Sequence, residues 1–194
     1  MKLEDIPFQT PENGYTPRED SWLLAKSISS LEKLNGKKCL DMGCGSGIQT
    51  AALLLQGAEK VVCVDSNQDA LQKTKKTVSK YIPKAKIELI ESNLFEKVNK
   101  KFDLIVFNPP YVPSEKIKWT DTDGGKEGRE IIDAFLEQFP PHLNEKGICL
   151  LIQTSLNGLK KTEKKLKEKG FEMKIIAEEK LAFETIFVLK INRK

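Results

Sequence analysis

The 194-residue sequence is short of the side chains from which hydrolase triads and zinc sites are built: it has one histidine, four cysteines and two tryptophans. The single histidine, His142, follows Pro140 and Pro141. No Ser/His/Asp constellation can be assembled around it, and a structural place at a helix end is expected. Among Cys39, Cys44, Cys63 and Cys149 there is no C-x-x-C pair. Three lie in apolar stretches and Cys44 in a glycine loop. Zinc ligation and a disulfide framework are therefore both disfavoured, and buried, reduced thiols with no metal site are expected. Apolar runs stop at five residues, as in Ala51 to Leu55 and Ile148 to Ile152. A bilayer-spanning helix needs about 20, so neither such a helix nor a secretory signal is expected, and a cytoplasmic location is. Charge of one sign is in small excess: 32 Lys and Arg against 28 Asp and Glu leave +4 with no basic tail. A polyanionic partner is permitted but not called for.

What the sequence does have is alternation. Short apolar segments at Lys38 to Met42, Lys60 to Asp65, Lys86 to Ile90, Phe102 to Phe107 and Ile148 to Gln153 read as strands. Most are expected to be central and covered on both faces. Between them lie amphipathic stretches at Asp20 to Leu34, Gly47 to Gln56, Asn67 to Tyr81 and Arg129 to Phe139, the last stopped by Pro140 and Pro141. After a lysine-rich helix at Leu159 to Lys169, Phe171 to Ala177 and Glu184 to Ile191 follow each other with no helix between them, which implies an antiparallel hairpin closing the sheet. The expected fold class is α/β, in three layers, with a mostly parallel seven-stranded sheet and an antiparallel C-terminal strand. One domain over 1–194 is expected, with 1–36 as N-terminal lid and helix and 37–194 as the core.

The first chemical signal is Asp41-Met42-Gly43-Cys44-Gly45-Ser46-Gly47, a strand ending in an acid and then three alternate glycines before a helix. Glycines allow a sharp turn and a close approach of backbone to a ligand. Ile48 stands where a dinucleotide fingerprint needs its third glycine, and the GK[ST] of a P-loop is missing, so the loop is not built for phosphates. The acids Asp41 and Asp65, each ending a strand, suit a neutral or cationic ligand. S-adenosylmethionine has such groups: Asp65 would accept from its ribose hydroxyls, and Asp41 would counter positive charge at its methionine end, directly or through water.

The second signal is Asn108-Pro109-Pro110-Tyr111, directly after an apolar strand. Parallel sheets place ligand sites at the carboxyl ends of their strands, so this tetrapeptide and the glycine loop should face one crevice. The Asn108 side-chain carbonyl and the Pro109 backbone carbonyl could converge on one NH₂ group, and neither proline offers a competing N–H. Gripping both hydrogens of an amide or aromatic amine favours a pyramidal nitrogen whose lone pair faces a methyl donor, so that orientation takes the place of a general base. Tyr111 could stack on the planar group.

Together, D-x-G-x-G-x-G, Asp65 and N-P-P-Y resemble the class I S-adenosylmethionine-dependent methyltransferases that modify amino groups. More narrowly, Tyr15, Pro17, Glu19-Asp20-Ser21 and Leu23-Leu24, with Gly124-Gly125-x-x-Gly128-Arg129, resemble the HemK-like release-factor glutamine methyltransferases, in their short archaeal and eukaryotic form. The resemblance implies a Rossmann-like fold and N5-methylation of the glutamine in the GGQ motif of a class I translation release factor, with S-adenosylhomocysteine as by-product. It implies Ser21, Asp41, Gly43, Gly45, Gly47, Asp65, Asn93, Leu94 and Asn108 around the cofactor, with Asn93-Leu94 at the adenine. Asn93 stands where the family usually has Asp, and can still accept from the adenine amine without charge assistance. The substrate amide falls to Asn108, Pro109, Pro110 and Tyr111.

Val112 to Gly128 has no clear periodicity and is long for a loop, so Trp119 and the stretch from Asp121 to Gly125 are expected to meet the protein substrate. Short-form relatives imply a small zinc-binding activator subunit that adds a strand at the sheet edge. N-P-P-Y also suits the exocyclic amine of adenine or guanine, so a DNA or RNA methyltransferase is the main alternative. Against DNA stand the mild charge and the absence of a further recognition domain, while a small RNA target stays open. A non-catalytic scaffold that retains the pocket is disfavoured by intact Asp41, Asp65 and Asn108, and a nicotinamide oxidoreductase by the glycine spacing.

Overall fold

The computed structural model describes residues 1–12, 14–115 and 122–194. Five α-helices and seven strands alternate as expected: α1 Glu19–Ser29, β1 Lys38–Met42, α2 Ile48–Leu55, β2 Lys60–Asp65, α3 Gln68–Tyr81, β3 Ile87–Glu91, β4 Phe102–Phe107, α4 Glu130–Gln138, β5 Leu143–Thr154, α5 Leu159–Glu168, β6 Phe171–Lys180 and β7 Thr185–Arg193. They build one sheet in the order β3-β2-β1-β4-β5-β7-β6. The pairs from β3 through to β5 are parallel, and β7 runs antiparallel to both β5 and β6.

Alternation along the strands produces two cores. Cys39, Val61, Cys63, Leu104, Val106 and Leu150 face one side and pack with Leu24 and Ile28 of α1 and Ala51 and Leu53 of α2. Leu40, Met42, Val62, Val64, Ile105 and Phe107 face the other and pack under Ile132, Phe135 and Leu136 of α4 and Leu166 of α5. This is the three-layer arrangement that strands buried on both faces require.

Three expectations are corrected. α1 ends at Ser29 rather than Leu34, where Ser27, Ser29 and Ser30 turn their hydroxyls back to the carbonyls four residues earlier, a contact that weakens a helix end. β5 starts at Leu143, before the polar Asn144-Glu145-Lys146, because Leu143 pairs with Phe102 across an irregularity in register. β3 runs from Ile87 to Glu91 rather than from Lys86 to Ile90, and as an edge strand it is half-buried. His142 closes a 3-10 turn, stacks on Phe95 with centroids 4.4 Å apart and places Nδ1 3.0 Å from the Lys100 carbonyl.

Strand order reverses between β1 and β4, since β1 connects onward to β2 on one side and β4 to β5 on the other. The carboxyl ends of these two neighbours are where a crevice opens in such sheets. The glycine loop leaves β1 there, and Asn108 leaves β4 there.

Candidate active site

At that crevice lies a cavity of about 380 Å³, within the usual range for small-ligand sites. Gly43 and Gly45 of the loop, Asp65 at the end of β2, Asn93 and Leu94 after β3, and Asn108 to Tyr111 after β4 all line it, as do Tyr15 and Ser21. The structure thus brings together two motifs separated by more than 60 residues of sequence. Gly43, Gly45 and Gly47 all have positive φ, +64°, +51° and +84°, which side chains with a Cβ rarely adopt. A Cβ on Gly47 would also sit 3.0 Å from Thr74 Oγ1.

Asp65 is held by the loop it faces. Its Oδ2 accepts from Gly45 N at 2.9 Å and its Oδ1 from Asn67 N at 2.9 Å. Burial raises its carboxyl above the ordinary range, partly offset by those backbone N–H groups. Each carboxylate oxygen retains lone-pair capacity beyond the one bond it makes here. Leu94 has φ +44°, a left-handed conformation that costs a side chain about 1–2 kcal/mol and that packing imposes at the cavity wall. The amide of Asn93 donates to Glu96 Oε1 at 2.9 Å, which leaves its carbonyl as the group able to accept.

Asp41 and Gly47 do not line the cavity. Asp41 is wholly buried beneath the loop, where Oδ2 accepts from Thr50 Oγ1 at 2.6 Å and Oδ1 has no partner among the described residues. Burial pushes its carboxyl up to about 7, with the Thr50 hydroxyl opposing and Asp65 adding to the rise. Any influence of Asp41 on a ligand passes through the loop or a water.

The residue around which the α1 side of the cavity is organised is Asp20, in the first turn of that helix. Its buried carboxylate accepts from Asn108 Nδ2 at 3.1 Å and from the Tyr111 hydroxyl at 3.0 Å through Oδ2. Through Oδ1 it accepts from the Tyr15 hydroxyl at 3.0 Å and Ser21 N at 2.6 Å. A carboxylate only accepts, so the amide nitrogen of Asn108 must turn toward Asp20. Its carbonyl Oδ1 is then the free arm, buried and without a partner among the described residues. Burial first, and then the Asp20 charge, raise the hydroxyls of Tyr111 and Tyr15 far above the usual phenol range, so both stay protonated donors. Ser21 completes the group by accepting from Asn108 Nδ2 at 3.3 Å, and its backbone carbonyl takes Gln49 Nε2 at 2.9 Å. Asp20 appears in the sequence only as part of a motif. Its role depends on a fold that brings α1 beside the end of β4, and nothing local in the sequence reveals that.

The described residues on either side of 116–121 pair with each other through the backbone. Val112 N donates to Thr122 O and Gly124 N to Val112 O, both at 2.9 Å. Trp119 and Asp121 lie outside the described residues. Gly128, at φ +64°, lies so close to Tyr111 that a Cβ would sit 2.0 Å from its carbonyl oxygen. Asn157 Nδ2 donates to that same carbonyl at 2.8 Å and to Gly128 O at 3.2 Å. Arg129, also buried, donates to the carbonyls of Asn157 and Gly158 and pairs with Asp133. The Gly-Gly-x-x-Gly-Arg segment therefore fixes the far end of the Asn108–Tyr111 turn.

Among the described residues, the charged side chains at the cavity wall are Glu19, Asp20, Asp65, Glu184 and a single cation, Arg18. No lysine lines it, on a chain whose net charge is +4.

Comparison with known proteins agrees with this geometry. The family model described as methyltransferase small domain matches residues 20–185. The chain belongs to the small-domain methyltransferases, in their HemK-like branch. It is 37% identical to a Methanocaldococcus jannaschii protein provisionally named a protein N5-glutamine methyltransferase, over 100% of this chain and 98% of that one. It is 29% identical to the human methyltransferase HEMK2, over 96% and 97% of the two chains. Among solved structures, the E. cuniculi Mtq2–Trm112 complex, described as responsible for methylating the eRF1 translation termination factor, superposes with a TM-score of 0.75 at 28% identity, covering 94% of this chain and 100% of that one.

Proposed function

We propose that this methyltransferase transfers a methyl group from S-adenosylmethionine to the side-chain nitrogen of the glutamine in the GGQ motif of a class I translation release factor. The observation that carries this reading is the Asn108 carbonyl, left as a buried free acceptor because Asp20 holds the amide nitrogen. A buried acceptor with no partner calls for a donor, and a primary amide NH₂ supplies one.

The residues present fit the methyl donor. Asp65 lies at the wall beside a glycine loop whose positive φ angles keep side chains out of the way. A wall with four carboxylates and one guanidinium suits a sulfonium and ammonium ligand and disfavours phosphates. S-adenosylmethionine held there supplies an electrophilic methyl group. Asp65 would bind ribose hydroxyls, Asn93 and Leu94 the adenine, and Ser21, Gly43 and Gly45 the methionine part, with Asp41 acting from behind the loop.

On the acceptor side, Asn108 Oδ1 and the Pro109 carbonyl take the two N–H bonds of the amide, which turns its lone pair outward. Tyr111, fixed at its hydroxyl by Asp20 and at its carbonyl by Asn157, supplies the flat wall. No general base is needed, because the positively charged product amide sheds its proton readily. Orientation does the work.

The acidic cavity also argues against a nucleic acid acceptor, whose phosphates would meet carboxylates at the mouth. As in the solved relative, described in a complex with a second protein, a small partner subunit is proposed at an edge of the sheet. Among the described residues no group of three or more His, Cys, Asp or Glu could hold a metal ion, so zinc would belong to that partner. Among them, too, no helix is long and apolar enough to cross a membrane, in keeping with work in the cytoplasm on a translation factor.

The test is methyl transfer from radiolabelled S-adenosylmethionine to a GGQ-containing factor, its Gln→Ala variant and bulk RNA, with and without the partner subunit. Label on the factor that disappears with Gln→Ala is expected. Label on RNA alone would overturn the proposal.

A further inference from the structure

We infer that the tip of the β6–β7 hairpin, with Phe183 at its apex, is a docking element for the protein that carries the acceptor glutamine. The inference rests on the substrate class proposed above and adds where that substrate is gripped beyond its reacting loop. Among the described residues, Phe183 is the most exposed large apolar side chain, at 94%, followed within this region by Leu156 at 54%, Val112 at 44% and Leu181 at 38%. Leaving a phenylalanine in water forgoes the stabilisation that burying it would give, and grouped exposed apolar residues mark interaction surfaces.

Two of these four residues lie on the cavity wall. Leu181 and Val112 line its mouth, as does Glu184, so Phe183 projects from between two cavity-lining positions. The turn is held by Leu181 N donating to Glu184 O at 2.8 Å, and the two strands stay paired up to Lys180 and Thr185. The apex is thus preorganised, and little ordering cost attaches to its use. Leu156 sits on the 3-10 turn Ser155–Asn157, which Thr185 N ties to the start of β7 through Ser155 Oγ at 3.1 Å. The same turn reaches the catalytic segment, because Asn157 holds the Tyr111 carbonyl. Hydrogen bonds through this turn therefore link the hairpin to the Asn108–Tyr111 segment.

The chemistry of this region selects the occupant. A nucleic acid needs cations lining its path, whereas the cavity wall carries four carboxylates against one guanidinium. A folded protein with an apolar patch beside its exposed glutamine loop matches the acidic wall and the exposed Phe183.

The experiment compares wild type with Phe183→Ser and Leu156→Ser in steady-state methyl transfer to the folded GGQ factor and to a short peptide of its GGQ loop. Both changes are at exposed side chains, and melting temperature checks the fold. The expected result for Phe183→Ser is a KM for the factor raised about tenfold, with kcat and all peptide kinetics unchanged; Leu156→Ser shifts KM in the same direction by less. An unchanged KM for the factor, or an equal loss on the peptide, overturns the docking role while leaving the proposed reaction intact. A wild-type chain that labels neither factor nor peptide overturns both.

Discussion

Asn108 donates its side-chain amide to Asp20 Oδ2 at 3.1 Å, across 88 positions of sequence. This bond fixes which arm of the asparagine is available, because a carboxylate cannot donate. In the proposed reaction it would make Asp20 a positioning residue for the substrate amide. Asp20→Asn removes the charge that receives five donors, the Ser21 hydroxyl at 3.3 Å included, and hydrogen bonds to a charged group are worth roughly 1.5–3 kcal/mol. The expected outcome is a kcat about 10- to 100-fold lower with cofactor affinity nearly unchanged, read from turnover and calorimetry on the same preparation.

Asn108→Ala leaves the cofactor wall intact while removing the acceptor itself. Methyl transfer should fall by at least about 100-fold, and cofactor affinity should change little. Equal loss of both in calorimetry and transfer assays would move Asn108 to the cofactor side of the cavity.

Asp65→Ala acts on the opposite side. The loss of a half-buried carboxylate at the cavity wall should weaken cofactor binding by about 10- to 100-fold. The Gly45 and Asn67 N–H groups it holds would also lose their acceptor, so the loop should exchange amide hydrogens faster. Unchanged calorimetric affinity would displace Asp65 from the ribose.

Asp41 predicts a pH dependence of stability. Burial pushes its carboxyl up to about 7 from an ordinary value of 3.8, so between these values the folded state holds a proton that the unfolded state has released. The stabilisation this gives is complete below pH 3.8 and is lost as pH rises through 7, with an upper bound of roughly 4 kcal/mol. Asp41→Asn cannot ionise. Urea unfolding across this range should therefore show wild type losing ground to the variant as pH rises, whereas a constant difference would mean the carboxyl titrates normally in the folded chain.

Much of this was legible in the sequence because it is local. The strand ends before Gly43 and Asn108 follow from apolar runs meeting glycine and proline, and β1, β2 and β4 begin and end at the expected residues. The seven-stranded sheet with an antiparallel strand near its end follows from two β-patterned segments with no helix between them. Asp20 is different: an acid in the first turn of a helix is ordinarily a favourable end charge, and only the fold, which brings Asn108 and Tyr111 to join Tyr15 and Ser21, reveals five donors converging on it. Asp41 shows the reverse. Its position before the glycine loop suggests contact with the ligand, but the strand's alternation turns its side chain toward Thr50 behind the loop. The start of β5 was hidden because Glu145 and Lys146 break the apolar pattern within a strand whose pairing is irregular there.

The most direct measurement is a crystal structure of the chain with S-adenosylhomocysteine and a GGQ peptide bound together. The expected result has the glutamine amide nitrogen about 3 Å from Asn108 Oδ1 and from the Pro109 carbonyl, with its third face toward the ligand sulfur. An amide bound elsewhere in the cavity, or a sulfur directed away from Asn108 Oδ1, would contradict the account.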